Sequence, residues 1–346
     1  MKYEDIFTFE NLYKSHLKAR LSKRNKEEVI NFELNTSANI QKLYFELKYK
    51  KYNISGYKTF YIYEPKKRKI DALCYRDMIV EHCLCDFYMT PLLERRLIYD
   101  NAASRIYKGT DFARKRLKKF YNDYYNKYHN NKGYVLKCDI HHFFDEIDHN
   151  VLKNILKSDV KDKNILNLLY KIIDSYNYKE HKGLPIGNQT SQAFAIRYLD
   201  EMDRMIKEKF KIKYYVRYMD DFILISHSKF YLKYILENIK LVLHKYNLEL
   251  NGKTKIYNLS ESMEFLGFKY KMFENGKIIL RLSSKKKKLF LQRIYQRRKM
   301  YEEKVISKND FINTLNSYMG YASKGNNYYF KKKMCFVKIE SFSKHN

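Results

Sequence analysis

The stretch Tyr214-Tyr215-Val216-Arg217-Tyr218-Met219-Asp220-Asp221-Phe222-Ile223-Leu224-Ile225 decides the fold, because two apolar runs flank two adjacent acids. Runs of aromatic and β-branched residues are typical of strands, so the stretch predicts a hairpin with Asp220 and Asp221 at its tip. A strand pair this apolar ordinarily turns through Asn-Gly or Asp-Gly, and two neighbouring carboxylates repel each other. A solvated turn is the ordinary explanation of a lone Asp-Asp pair. Mg²⁺, which prefers hard oxygen ligands, would relieve the repulsion.

A third acid occurs in a matching context. Asp139 ends the apolar run from Gly133 to Cys138. A strand that stops at an acid can lie beside a hairpin tipped by two acids in one sheet. Such a set of carboxylates suits a pair of metal ions about 3.5–4 Å apart, as used for in-line phosphoryl transfer. The three acids together therefore predict a phosphoryl-transfer site.

Seven segments occur in an order that resembles the bacterial reverse transcriptases. They are residues 63–80 (Tyr63 to Ile70 and Tyr75 to Val80), Asn101 to Thr110, Asp139 to His149, Gly183 to Gln192, the Tyr218 to Asp221 turn, Asn251 to Ile256, and Phe265 to Phe268. Each segment alone is a weak signal, and the seven in order are a strong one.

The resemblance implies an α+β right-hand polymerase with an antiparallel palm sheet. The expected divisions are an N-terminal helical extension (1–57), fingers (58–132), a palm (133–270, with interleaved fingers helices at about 150–182) and a basic helical thumb (271–346). The sequence patterns predict a hairpin at 58–71, helices at 75–96, 110–128, 150–176 and 190–210, and a hairpin through Glu274-Asn275-Gly276.

Site roles follow from the resemblance. Asp139 and Asp220 are expected to hold two Mg²⁺ ions, which Mn²⁺ could replace, with Asp221 supporting them. Phe144 matches an aromatic gate against the ribose 2′-hydroxyl, and strand alternation predicts that only one of Phe143 and Phe144 faces the site. Ile140 is expected next to the metal ions. Lys253, with Lys255 as the alternative, is expected to donate a proton to the leaving pyrophosphate. The residues expected around the incoming deoxynucleotide are Lys66, Arg68, Arg76, Gly187, Gln192, Tyr218 and Met219.

Charge points to a polynucleotide partner. The chain has 69 Lys and Arg against 39 Asp and Glu, a formal net charge of +30, and from Arg281 onward 17 basic residues face 4 acidic ones. This excess of positive charge favours nucleic acid as the binding partner. A membrane is disfavoured, since no apolar stretch approaches the roughly 18 residues of a spanning helix. The predicted nucleic-acid contacts are Arg105, Ser191, Phe265, Leu266, Gly267, Lys285, Lys286, Lys287, Lys288, Arg297 and Arg298, although Arg105 and Arg76 could instead form structural ion pairs and the thumb lysines a solvated face.

The block Ile186 to Gln192 separates subfamilies. Many reverse transcriptases have Gln before the glycine and Pro after the serine, whereas this chain has Ile186 and Gln192. That pattern resembles the enzymes of diversity-generating retroelements, which copy an RNA template with frequent errors at adenine. A defence-associated enzyme that makes repetitive or nontemplated DNA, and an inactive RNA-binding scaffold, are the alternatives.

The expected partners are a structured noncoding template RNA, nascent DNA and deoxynucleotides, with an accessory protein or a second copy of the chain left open. Five cysteines without metal-site spacing, and an N-terminus unlike a signal peptide, favour the cytoplasm.

Overall fold

The computed structural model describes residues 1–63 and 67–343, and it describes the side chains of these residues up to 336. Contacts within the chain group it into two compact units. The first contains Met1–Ala113, Cys138–Ile223 and Lys233–Thr254, and the second contains Arg114–Lys137, Leu224–Leu232 and Lys255–Asn346.

The first part of the chain is mainly helical. Its elements are α1 (Tyr3–Ile6), α2 (Phe9–Ala19), α3 (Glu27–Leu34), α4 (Thr36–Lys48), β1 (Tyr57–Ile62), β2 (Arg68–Leu73), α5 (Tyr75–Leu84), α6 (Thr90–Arg96) and α7 (Thr110–Tyr128). A π-helical turn, Cys85–Met89, joins α5 to α6. The predicted N-terminal helices, the hairpin near 58–71 and the helices at 75–96 and 110–128 are thereby confirmed.

The middle of the chain contains three strands, with a run of helices between the first strand and the other two. Its elements are β3 (Tyr134–Asp139), α8 (Phe143–Glu146), α9 (His149–Asp159), α10 (Lys163–Asp174), α11 (Gln189–Tyr198), α12 (Asp200–Arg204), β4 (Tyr214–Tyr218), β5 (Asp221–Ser226) and α13 (Lys229–Lys245). Asp148 and Asp162 begin α9 and α10 by accepting hydrogen bonds from backbone N–H groups of the first turn. The single helix predicted at 190–210 is wrong in one respect, because the backbone leaves helical geometry at Leu199 between α11 and α12.

The C-terminal elements are β6 (Lys255–Asn258), β7 (Met263–Phe265), β8 (Phe268–Met272), β9 (Ile278–Leu282), α14 (Ser284–Glu302), α15 (Lys308–Ala322) and α16 (Tyr328–Ser343). Strands β7, β8 and β9 form a three-stranded antiparallel sheet. The predicted turn through Gly276 is confirmed, with Gly276 at φ 78°. Ser283 accepts a hydrogen bond from the N–H of Lys286 and so begins α14.

A four-stranded sheet in the order β4-β5-β3-β6 carries the predicted acids. Strands β4 and β5 are buried on both faces, with Tyr215, Val216, Phe222 and Ile223 each fully buried. Strands of this kind read as continuous apolar runs, which is the pattern seen in the sequence. None of the described helices is long and apolar enough to span a bilayer.

Candidate active site

The turn between β4 and β5 places two acids at the end of a buried hairpin. Strand β4 ends at Tyr218 and β5 begins at Asp221, so Met219 and Asp220 form the turn itself. Met219 has φ 55°, in the left-handed region that side chains other than glycine seldom adopt. The predicted hairpin is confirmed, and all four residues from Tyr218 to Asp221 are partly exposed.

Asp139 lies beside this turn. It is the last residue of β3, the strand next to β5, and the N–H of Ile140 donates to the main-chain oxygen of Asp220 over 3.3 Å. Burial raises the pKa of the Asp220 carboxyl above its usual value, and the negative charge of Asp139 raises it further. The negative charge of Asp139 therefore disfavours ionisation of Asp220.

Asp221, the first residue of β5, acts together with Asp139 on the thiol of Cys138. Burial raises the pKa of the Cys138 thiol far above its ordinary value, and the charges of Asp221 and then Asp139 add to that effect. Among the described residues, no three His, Cys, Asp or Glu side chains form a ready-made metal centre. Mg²⁺ does not require one, because one or two carboxylates plus water and substrate phosphate satisfy it. The repelling pair Asp139 and Asp220 fits a hard divalent cation.

Arg68 is the predicted triphosphate ligand on the fingers hairpin that lies within the described residues. It begins β2 and pairs with Ile62 of β1 at the end of the predicted fingers hairpin. Its positive charge lowers the pKa of the Asp220 carboxyl and so opposes the effect of burial and of Asp139. The other candidate on this hairpin, Lys66, lies outside the described residues.

Backbone hydrogen bonds connect the turn that carries Lys253 to Asp139. The N–H of Asn251 donates to the main-chain oxygen of Asp139 over 2.7 Å, and the N–H of Lys253 donates to the Asn251 side chain over 3.1 Å. The Lys253 side chain is exposed. The turn at 251–254 is therefore anchored to the strand end that carries Asp139.

Phe143 and Phe144 do not alternate along a strand as expected. Strand β3 stops at Asp139, His142 takes a left-handed conformation at φ 42°, and both phenylalanines belong to the short helix α8. Phe143 is buried at 3% exposure, whereas Phe144 is partly exposed, with the two rings edge to face. The premise of strand alternation is wrong, yet Phe144 is the more accessible ring of the two.

Comparison with known proteins identifies the family. The sequence matches the family described as reverse transcriptase (RNA-dependent DNA polymerase) over residues 92–270, just over half of the chain. The chain belongs to the reverse transcriptase family. Reverse transcriptases of this family generally use divalent metal ions.

The chain also resembles individual proteins. A putative COX1/OXI3 intron 2 protein of Saccharomyces cerevisiae is 32% identical over 89 residues, or 24% of this chain and 10% of the yeast protein. A telomerase structure from Candida albicans in complex with a telomeric RNA fragment has a TM-score of 0.52 at 12% identity, covering 86% of this chain and 63% of the telomerase. Apo telomerase from Candida tropicalis, truncated from its C-terminal domain, has a TM-score of 0.47 at 18% identity, covering 70% and 60%. The Candida albicans likeness shows the polymerase fold, α+β with antiparallel sheets.

The Gly187 to Gln192 block of the reverse transcriptase begins α11 next to the fingers hairpin. Gly187 has φ 115°, and a Cβ atom there would come within 3.3 Å of Ile70 on β2. Glu81 of α5, 4% exposed, accepts hydrogen bonds from the Thr190 hydroxyl and from the backbone N–H groups of Gln189 and Thr190. A buried carboxylate thus holds the first turn of this helix.

The two predicted contact residues further along this block differ in accessibility. Ser191 is 2% exposed, so its side chain is not available to nucleic acid and the prediction of a contact through it is wrong. Gln192 is partly exposed and its side-chain oxygen accepts a hydrogen bond from Ser104 over 2.5 Å. Gln192 therefore remains a candidate at the surface of the block.

Arg76 and Arg105 are engaged within the protein. The Arg76 guanidinium forms an ion pair with Glu46 of the N-terminal extension and lies 3.6 Å from Asp77. Arg105 donates to the carboxylate of Glu94 from Nε, over 3.0 Å to each oxygen, and from Nη2 over 2.6 Å, and only 7% of its side chain is exposed. Of the two alternatives for these arginines, the structure contains the structural ion pair, and binding of substrate or template through them stays a prediction.

The Phe265 to Gly267 segment is accessible only in part. Phe265 is fully buried, so its ring is not available to nucleic acid. Leu266 takes φ 47°, and its main-chain oxygen accepts a hydrogen bond of 3.3 Å from Arg114. Gly267 has φ 81°, and the side chain of Lys286 occupies the space where a Cβ atom would stand.

The thumb lysines are not one uniform surface. Lys285 and Lys288 are exposed, but Lys286 lies over the Tyr321 ring and donates to its hydroxyl over 2.5 Å. Burial lowers the pKa of Lys287.

The two arginines further along α14 also differ. Arg298 forms an ion pair with Glu302 over 2.8 Å, whereas Arg297 is exposed. The exposed basic surface of α14 therefore contains Lys285, Lys288 and Arg297, which are only part of the set predicted from the sequence.

Sequence reasoning missed the residue beneath the acidic turn. Arg217 on β4 is fully buried and forms an ion pair with Asp203 of α12. A charged residue inside an apolar strand is the signal that could have identified it, because a buried charge requires a partner.

Proposed function

We propose that this chain is an RNA-directed DNA polymerase that makes cDNA from an RNA template. The observation that carries the proposal is the adjacency of Asp139 and Asp220, with Asp221 next to them, at the ends of neighbouring strands in a chain of the reverse transcriptase family. An RNA-binding scaffold would gain nothing from carboxylates that repel each other.

The residues at the site have distinct parts in the proposed reaction. Asp139 and Asp220 would hold divalent metal, Mg²⁺ in the cell, with Asp221 beside them. Bound metal ions supply a Lewis acid that lowers the pKa of a primer hydroxyl and neutralises charge on pyrophosphate. Arg68 would bind the incoming triphosphate through its planar guanidinium, which matches phosphate oxygens. Lys253, on the turn anchored to Asp139, would donate a proton to the leaving pyrophosphate.

Phe144 would select the sugar. A ring in the volume that a 2′-oxygen needs excludes ribonucleotides without any hydrogen bond. The partly exposed position of Phe144 beside buried Phe143 supports this assignment.

The finer proposal is an enzyme of the diversity-generating retroelement type, acting with a dedicated noncoding RNA. Ile186 and Gln192 flank the block at α11 and resemble that group. Ile186 is partly exposed and, unlike a glutamine there, its side chain cannot form a hydrogen bond with a nucleotide. We expect weaker discrimination against mispaired nucleotides as a result.

Sequencing the product of a purified reaction tests both levels. The reaction contains a primer, a heteropolymeric RNA template and the four deoxynucleotides with Mg²⁺. Complementary DNA supports the polymerase, and errors concentrated at template adenines support the finer assignment. DNA unrelated to the template would show a nontemplated nucleotidyltransferase, as expected of the defence-associated alternative, and no product from well-folded protein would favour a scaffold.

A further inference from the structure

Arg217 is held at a fixed position by an unusually complete set of contacts. Its side chain is 0% exposed, and Nε and Nη2 donate to the two carboxylate oxygens of Asp203 over 2.7 and 2.6 Å. Paired hydrogen bonds of this geometry fix the plane of the guanidinium as well as its position. Asp203 is itself fully buried on α12.

The guanidinium connects this ion pair to the acidic turn. Nη1 donates to the main-chain oxygen of Met219 over 3.0 Å, and Nη2 also donates to the main-chain oxygen of Ile196 over 3.0 Å. Met219 is the residue with φ 55°, a conformation that is strained for a residue with a side chain. The Arg217 hydrogen bond acts on the one residue of the turn whose backbone is strained.

Neighbouring groups hold both members of the pair. The Tyr215 hydroxyl donates to one Asp203 oxygen, and the Asn101 side chain approaches the other at 3.4 Å. The backbone of Arg217 forms two hydrogen bonds. Its N–H donates to the main-chain oxygen of Asp100 over 3.1 Å, and its main-chain oxygen accepts from the N–H of Ala102 over 2.9 Å. Neither Arg217 nor Asp203 can move without breaking several of these contacts.

We infer that the Arg217–Asp203 pair positions the catalytic turn, setting where Asp220 stands relative to Asp139. The inference rests on the proposed function, because it assigns these buried residues to the metal-binding carboxylates. Arg217 is a positioning residue, acting through the Met219 oxygen. A purely structural pair would stabilise the fold and leave the carboxylates where they are.

The test compares Arg217→Lys with Arg197→Lys. Lysine keeps the charge and can reach Asp203, but it lacks the planar fork that also reaches Met219. Arg197 forms a second buried ion pair, with Asp159 over 2.5 and 3.0 Å, and none of its hydrogen bonds reaches the turn. The two substitutions therefore match in chemistry and burial and differ in their link to the acids.

Four quantities are measured for the full chain: the Mn²⁺ dissociation constant by electron paramagnetic resonance, kcat and KM for deoxynucleotide incorporation, and Tm. Arg217→Lys should weaken Mn²⁺ binding and lower kcat by about 10–100-fold, the usual effect of losing an orienting group behind a metal ligand. KM should change little. Arg197→Lys should lower Tm by a comparable amount while Mn²⁺ binding and kcat stay close to the parent values.

Equal effects of both substitutions on Mn²⁺ binding, or no effect of Arg217→Lys, would overturn the inference. If Arg217→Lys does not fold, Tyr215→Phe replaces it, since that change removes only the hydroxyl that holds Asp203. It should weaken Mn²⁺ binding in the same direction by a smaller factor, and unchanged binding would overturn the inference equally. A parent protein that binds Mn²⁺ but makes no DNA would refute the proposed function while leaving the Mn²⁺ comparison valid.

Discussion

Glu81 should make the stability of this protein depend on pH in a way that one substitution removes. Burial raises the pKa of its carboxyl from 4.5 to about 7, and nearby Asp77 adds to the shift, although hydrogen bonds from Thr190 and Gln189 oppose it. The folded protein therefore retains a proton that the unfolded chain releases. The stability that this proton contributes is fully present below pH 4.5 and is lost as the pH rises to about 7.

The size of the effect follows from the shift. Each pKa unit corresponds to about 1.4 kcal/mol, so the Glu81 proton contributes about 3 kcal/mol to the free energy of unfolding at low pH. About 2 kcal/mol of this contribution is lost between roughly pH 5 and pH 7.5. Glu81→Gln removes the titrating group and keeps a side-chain oxygen that can accept from Thr190. Urea unfolding at the two pH values should show the parent losing about 2 kcal/mol more than the variant.

Glu94→Gln is the matched control. The ion pair with Arg105 lowers the pKa of Glu94, so its contribution to stability is present above its ordinary pKa of 4.5 and is lost only as the pH falls. That variant should lose as much stability as the parent between the two pH values. Identical losses for the parent and Glu81→Gln would refute the reasoning about Glu81.

Three further predictions concern the nucleic acid and nucleotide contacts. Phe144→Ala should admit ribonucleotides far better than the parent does, and an unchanged deoxy-to-ribo ratio in single-nucleotide incorporation would move the gate elsewhere. Arg68→Ala should raise KM for deoxynucleotides by at least about tenfold, as expected for a lost charge-assisted pair, while Arg68→Lys recovers part of it. Joint replacement of exposed Lys285 and Lys288 by Ala should reduce the slope of log affinity for a primer–template against log salt by roughly 0.7–0.9 per lost contact. Replacing Lys286, which contacts Tyr321, should leave that slope unchanged and lower Tm instead.

Much of the fold could be predicted because its signals are local. The apolar runs around Asp220 and the run that ends at Asp139 depend only on neighbouring residues, and each became a strand where expected. The resemblance then supplied the order of the segments. The break at Leu199 lay beyond such reasoning, since the residues on both sides of it suit a helix.

One physical cause kept the ion pairs of the arginines from being predicted. A sequence shows that an arginine is charged but not whether an acid elsewhere neutralises it. Arg105 pairs with Glu94, eleven residues away, and Arg76 pairs with Glu46, thirty residues away. Arg217 and Asp203 were overlooked for the same reason, because only the folded chain brings them together.

Asp220→Asn tests the central claim most directly, measured by primer extension on a defined RNA template with Mg²⁺. The substitution removes one charge at the Asp139–Asp220 pair and preserves the shape of the side chain. Circular dichroism and RNA affinity should match the parent, and deoxynucleotide incorporation should fall by several orders of magnitude, because the pair could no longer hold the divalent metal needed for phosphoryl transfer. Template-directed DNA synthesis at the parent rate by well-folded Asp220→Asn protein would contradict the account.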